Sequence, residues 1–245
     1  MLKITVRIDT GGTPELTEGG KWDKIGENGT GVGSMDYKHI VFDVDGTLVD
    51  TENTTISSLQ DTLLILTGKK PPREELHFAL GITGEDVLRR LGLDEKAGMQ
   101  VWLEQLTHYE GCNPLYPGIE ELLRTLQQQG CHLGVATSRT HLLYDAEIPA
   151  LGIAGYFGEV ICAEDSVTHK PEAGPLEAYM QRTGAAPEEV LYIGDSVYDM
   201  LCAQNAGTGF LLAGWGALPQ LREQAPAWKA EPLQVLDFLQ ERKSC

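Results

Sequence analysis

His39-Ile40-Val41-Phe42-Asp43-Val44-Asp45-Gly46-Thr47-Leu48-Val49-Asp50 is the stretch on which the fold turns. Its opening run shows no polar alternation and so suits a strand buried on both faces, while two carboxylates and a glycine follow where such a strand would end. Four further runs have the same character: Leu133-Gly134-Val135-Ala136, Val160-Ile161-Cys162-Ala163, Val190-Leu191-Tyr192-Ile193 and Phe210-Leu211-Leu212-Ala213. Between them, Ile119, Leu122, Leu123 and Leu126 recur at helical spacing ahead of Gly130, and 199–205 repeats the pattern ahead of Gly207. Strands alternating with helices imply right-handed crossovers and a doubly wound, Rossmann-like parallel α/β sheet.

One interval breaks the alternation. Residues 51–116 hold no strand-like run, only helical patterns over 56–66, 74–80, 85–91 and 97–109, with Gly81, Gly84 and Gly92 between them. This reads as a small all-helical cap inserted after the first strand, above the sheet's carboxyl edge, with 35–50 and 117–245 forming the α/β core. Residues 1–34 crowd eight glycines around one alternating run and end in Gly33-Ser34 before Met35, so they read as a tag, a linker or an N-terminal extension outside the fold.

Composition limits the partners. Lys and Arg number 19 against 36 Asp and Glu, a net charge of −17, which repels nucleic-acid backbones and anionic membranes. No apolar run approaches the ~20 residues that span a bilayer, so a cytoplasmic protein, monomeric or homodimeric, is expected. Cys112, Cys131, Cys162, Cys202 and Cys245 contain no C-x-x-C pair and read as reduced thiols.

The distinctive polar residues each follow a strand: Asp43 to Asp50 after the first, Thr137-Ser138-Arg139 after the second, Lys170-Pro171 beyond the third, and Gly194-Asp195-Ser196-Val197-Tyr198-Asp199 after the fourth. Loops beyond the carboxyl ends of an open sheet converge on one crevice. Up to four carboxylates gathered there repel one another, and a hard divalent cation, Mg²⁺ best of all, relieves them. With Lys170, Thr137 and free N–H groups expected at Asp45-Gly46-Thr47, the crevice suits a phosphoryl group. A D-x-D start could also open an EF-hand loop, but Gly46 stands fourth where that loop needs its glycine sixth.

The ordered set Asp43-x-Asp45-x-Thr47, Thr137, Lys170 and Gly194-Asp195-x-x-x-Asp199 resembles the four motifs of the haloacid dehalogenase-like hydrolase superfamily. The resemblance covers residues 35–245 and implies a nucleophile at Asp43 and a general acid/base at Asp45. It implies Mg²⁺ held by Asp43, Asp45 and Asp195, with Asp199 supporting the metal from behind. Gly46, Thr47, Thr137, Ser138 and Lys170 would hold the phosphoryl oxygens.

Asp45 argues against the dehalogenase branch, whose chemistry needs no leaving-group acid. Thr47, Gly194 and Gly84 stand where phosphosugar mutases of the β-phosphoglucomutase type carry Val, Glu and Arg, and each difference favours hydrolysis. Asp50-Thr51 and Trp215-Gly216 are similar to the phosphoglycolate phosphatase-like branch. The expectation is therefore an Mg²⁺-dependent phosphatase acting on a small phosphorylated metabolite through an aspartyl-phosphate, with a mutase or a pyrophosphatase as the alternative. A phosphate-binding module without turnover stands further off. Asp50 is expected to cap the first helix of the insert.

Overall fold

The computed structural model describes residues 37–109, 111 and 113–243. The expectations for residues 1–34, Cys112 and Cys245 lie outside them. Strand β1 (His39–Phe42) is followed by four helical stretches: α1 (Glu52–Thr67), a 3₁₀ helix (Arg73–Ala79), α2 (Gly84–Arg90) and α3 (Glu95–Leu106). Then α4 (Ile119–Gln128), β2 (His132–Ala136), α5 (His141–Glu147), β3 (Glu159–Ile161), α6 (Gly174–Thr183), β4 (Val190–Gly194), α7 (Val197–Ala206), β5 (Gly209–Ala213), β6 (Trp228–Lys229) and α8 (Gln234–Lys243) complete the order.

All six strands run parallel in the order β3-β2-β1-β4-β5-β6. The five strands expected from apolar runs are all present. The sixth was not foreseen, because two residues, one of them Lys229, carry no periodicity. The 74–80 pattern forms a 3₁₀ helix, since Pro71-Pro72 allow only a short turn of chain before Leu80 turns extended.

Successive residues of β1 serve opposite layers, as the pleat requires. Ile40 and Phe42 pack with Ile119, Leu122, Leu123 and Leu126 of α4, all without solvent exposure, while Val41 packs with Leu176 and Tyr179 of α6 and Ala203 of α7. Each fully buried Leu or Ile contributes about 1.5–3 kcal/mol relative to exposure, so this two-sided cover is what holds a sheet with no wet face. Helix α7 is fixed by a capping box, in which Ser196 Oγ receives the Asp199 N–H and Asp199 receives the Ser196 N–H. Asp50 does not cap α1. The N-cap is Thr51, whose hydroxyl turns instead to the Asp45 carboxylate, and the Asp50 N–H is held by the Pro114 carbonyl.

Among the described residues no helix is long and apolar enough to cross a membrane. At β2, Gly134 lets the sheet approach α6 closely, and an added Cβ would come within 2.2 Å of the Tyr179 ring. Gly134→Ala should therefore cost about 2 kcal/mol through forced displacement of that ring, measured by chemical denaturation.

Candidate active site

Strand register brings the motif residues together. Phe42 pairs with Val135 on one side and Ile193 on the other, so Asp43 comes level with Ala136 and Gly194. Thr137 and Asp195 then stand one residue further along, at the carboxyl edge. Lys170 enters from the loop between β3 and α6, followed by a cis bond to Pro171. Asp43, Thr137, Lys170, Asp195 and Asp199 are all buried.

One ammonium faces three carboxylates in this dry space. Lys170 Nζ lies 2.7 Å from Asp199 Oδ1 and 2.9 Å from Asp43 Oδ1. Asp199 takes Lys170 on Oδ1 and both the N–H and Oγ–H of Ser196 on Oδ2, and its Oδ1 shares the single Tyr192 hydroxyl proton with the Ala136 carbonyl, which lies 2.8 Å from that hydroxyl. It therefore fixes the lysine. Asp43 Oδ1, by contrast, has the Lys170 ammonium at 2.9 Å as its ion-pair partner and no second donor.

Burial pushes the Asp43 carboxyl up to about 7, with Asp199 and Asp45 adding to the rise and Lys170 opposing it. Burial also lifts Asp195 well above the usual carboxylate range, reinforced by Asp199 and Asp43. For Lys170, burial works against the charge, but Asp199 and Asp43 outweigh it and hold the pKa above its ordinary value. Three carboxylates against one lysine leave an uncompensated negative charge.

Asp45 lies on the more open side and is gripped by Arg139, whose Nε and Nη2 reach its two oxygens at 2.9 and 2.8 Å. Burial would raise the Asp45 pKa, yet this fork and the Thr51 hydroxyl bring it below the ordinary value. Arg139 also donates to Glu147 at 2.6 Å, and Glu147 receives Asn113 Nδ2 at 2.8 Å. Neither Arg139 nor Tyr192 was given a role from sequence. Both carried a signal: a guanidinium two residues past Thr137, and a hydroxyl in the middle of an apolar strand.

The turn after β1 is tighter than expected. The N–H groups of Gly46 and Thr47 are not free for a phosphoryl group, because they donate to the carbonyls of Val49 and Val44 and close the loop on itself. Gly46 serves in another way: its φ is +70°, and a Cβ there would stand 2.2 Å from Asp195 Oδ2. Thr47 Oγ1 is 3.5 Å from Asp195 Oδ1, and its carbonyl accepts Trp215 Nε1–H at 2.8 Å. Ser138 donates its hydroxyl to the Gly81 carbonyl at 3.1 Å and thereby ties the α1–α3 segment to the sheet edge. Thr137 Oγ1 accepts the Arg139 N–H at 3.2 Å.

Oxygen atoms of Asp43, Asp195 and Asp199 lie within 4.8 Å of one another. Asp199 is the most heavily hydrogen-bonded of the three, so the Asp43 and Asp195 carboxylates are the pair freest to take a cation. Two carboxylates whose protonation is favoured by burial and mutual repulsion fit a hard divalent ion, which would relieve both.

The sequence profile described as haloacid dehalogenase-like hydrolase matches residues 40–213. A phosphoglycolate phosphatase of Agrobacterium fabrum is 30% identical over 207 residues, covering 80% of this chain and 87% of its own. A pyrophosphatase PpaX of Bacillus mycoides is 26% identical over 209 residues, covering 84% and 95%. A solved haloacid dehalogenase-like hydrolase of Streptococcus pneumoniae superposes with a TM-score of 0.72 at 25% identity, covering 83% of this chain and 98% of its own. Taken with the parallel sheet and the strand-end acids, these matches place the chain in the haloacid dehalogenase-like hydrolase family, as a phosphatase.

Proposed function

We propose that the protein hydrolyses a small phosphomonoester with the help of Mg²⁺, by way of a phosphorylated Asp43. The observation that carries this reading is Asp43 itself: a buried carboxylate at the end of the central strand, whose Oδ1 is held by the Lys170 ammonium at 2.9 Å and by no second donor. A nucleophile needs such a lone pair, held in place and shielded from water.

Asp43 and Asp195 would hold the cation together with the backbone carbonyl of Asp45; when bound, Mg²⁺ supplies charge to the phosphoryl oxygens and aligns them. An Asp43 oxygen attacks phosphorus as the bond to the leaving oxygen breaks, and Asp45 gives that oxygen its proton. Asp45 then takes a proton from water, which attacks the same phosphorus, releases inorganic phosphate and restores the Asp43 carboxylate. Lys170 and Thr137 steady the phosphoryl oxygens, and Asp199 keeps Lys170 in position. Because Arg139 lowers the Asp45 pKa, it favours the form that accepts a proton from water; delivering one to the leaving group requires that fork to loosen. The α1–α3 segment, tied to the sheet edge at Gly81, acts as the cap that selects the substrate.

Asp43→Asn should reduce hydrolysis of a generic aryl phosphate to the uncatalysed background, and Asp45→Asn should lower kcat by about 10²–10⁴-fold; normal turnover by either variant refutes the assigned roles. Mg²⁺ at a hundred times its Kd should stabilise the wild-type fold by about 2.7 kcal/mol in thermal denaturation, and Asp195→Asn should lose that gain. A carboxyl whose pKa rises on folding keeps a proton that the unfolded chain has lost, so metal-free stability falls as pH climbs from about 4 to about 7. Asp43→Asn should accordingly be more stable than wild type at pH 8 without metal, and the difference should shrink toward pH 4 in urea titrations.

A further inference from the structure

The cleft that opens above Asp43 and Asp45 measures about 900 Å³ and runs between the α1–α3 segment and α5. Its walls are mostly apolar. Met99, Leu103 and Leu106 come from α3 and its end, and Leu142, Ala146 and Ala150 face them at helical spacing from α5 and the turn that follows. Leu142, 71% exposed, extends this apolar wall toward solvent.

The charge inventory of the cleft is one-sided. Beyond the acids of the phosphoryl site, the charged side chains lining it among the described residues are Glu52, Glu147 and Arg139. Arg139 is spent on Asp45 and Glu147. Arg73 and His77 approach Glu52 at 3.8 and 3.9 Å but are outside the lining. A carboxylate or a second phosphate on the leaving group would leave water for apolar walls and two glutamates, with no unspent cationic side chain among the described lining residues to meet it.

Closure of the segment onto the sheet edge does not account for the apolar surface. The segment is fastened elsewhere, by Ser138 to the Gly81 carbonyl and by Arg90 Nη1 to the Tyr198 hydroxyl at 2.7 Å. The α3 and α5 faces bound the cleft that leads to the nucleophile, so what they contact is the part of the substrate that departs.

Building on the phosphatase reading, we infer that the substrate is the phosphate ester of an uncharged alcohol with an apolar or aromatic body, seated between α3 and α5, rather than phosphoglycolate or pyrophosphate. The names of the relatives point the other way, and this chain's own wall chemistry decides the question.

The test compares benzyl phosphate and n-hexyl phosphate with phosphoglycolate and pyrophosphate, by kcat/KM on the wild type and by calorimetric Kd on Asp43→Asn protein with Mg²⁺. The uncharged esters should be preferred by about tenfold or more in both measurements. Leu142→Arg, placed on the exposed wall where folding is not at risk, should narrow that gap by raising affinity for phosphoglycolate. Equal or better values for phosphoglycolate or pyrophosphate, or a gap unmoved by Leu142→Arg, overturn the inference. Should no ester be turned over while the order of Kd values holds, the phosphatase reading fails and the cleft preference stands.

Discussion

The structure depends on one ammonium ion held among carboxylates away from water. Lys170 reaches Asp43 and Asp199 at once, and its position is maintained because Asp199 is in turn pinned by Tyr192 and the Ser196 cap of α7. Removing charges from water is costly unless each finds a partner, and here the partners come from β1, β4, α7 and the loop before α6. A cluster assembled from four separate parts of the chain forms only when the sheet is complete, so site and fold are built in one event. The charge that Lys170 leaves unmatched is the reason the arrangement accepts a cation.

Much of this was legible in the chain. Apolar runs without alternation identified five strands because a sheet covered on both faces tolerates no polar side, and the acids at their carboxyl ends announced a common crevice. Asp43, Asp195, Lys170 and Thr137 do meet there. Finer features leave no such pattern: β6 is too short for periodicity, Tyr192 lies inside an apolar strand, and the spacing around Arg139 does not reveal its partners. The open N–H cradle at Gly46 and Thr47 and the capping by Asp50 were wrong for related reasons, since both depend on where the turn after β1 spends its hydrogen bonds. Spacing in a sequence does not reveal that Gly46 donates to Val49 or that Thr51 turns toward Asp45.

Two halves of the site follow different rules. The floor around Lys170 is crowded and ionic, with each side chain answering to another, whereas the cleft above it is walled mostly by apolar side chains from α3 and α5. Arg139 stands at the boundary and belongs to both, holding Asp45 on one side and Glu147 on the other. Through Glu147 and Asn113 its hold extends to the helical segment, since Asn113 also receives the Thr54 hydroxyl of α1 at 2.5 Å. Asp45 is thus linked to that segment by way of three side chains.

The loops around Asp43 are keyed together with almost no slack. A methyl group at Gly216 would fall 1.8 Å from the Gly46 carbonyl oxygen, and one at Gly46 would strike Asp195. Loops after β1, β4 and β5 can therefore change only in concert, and a descendant of this gene that acquires a new substrate must find its freedom in α3, α5 and the residues between them. Inheritance would preserve the floor of the site and rewrite its walls.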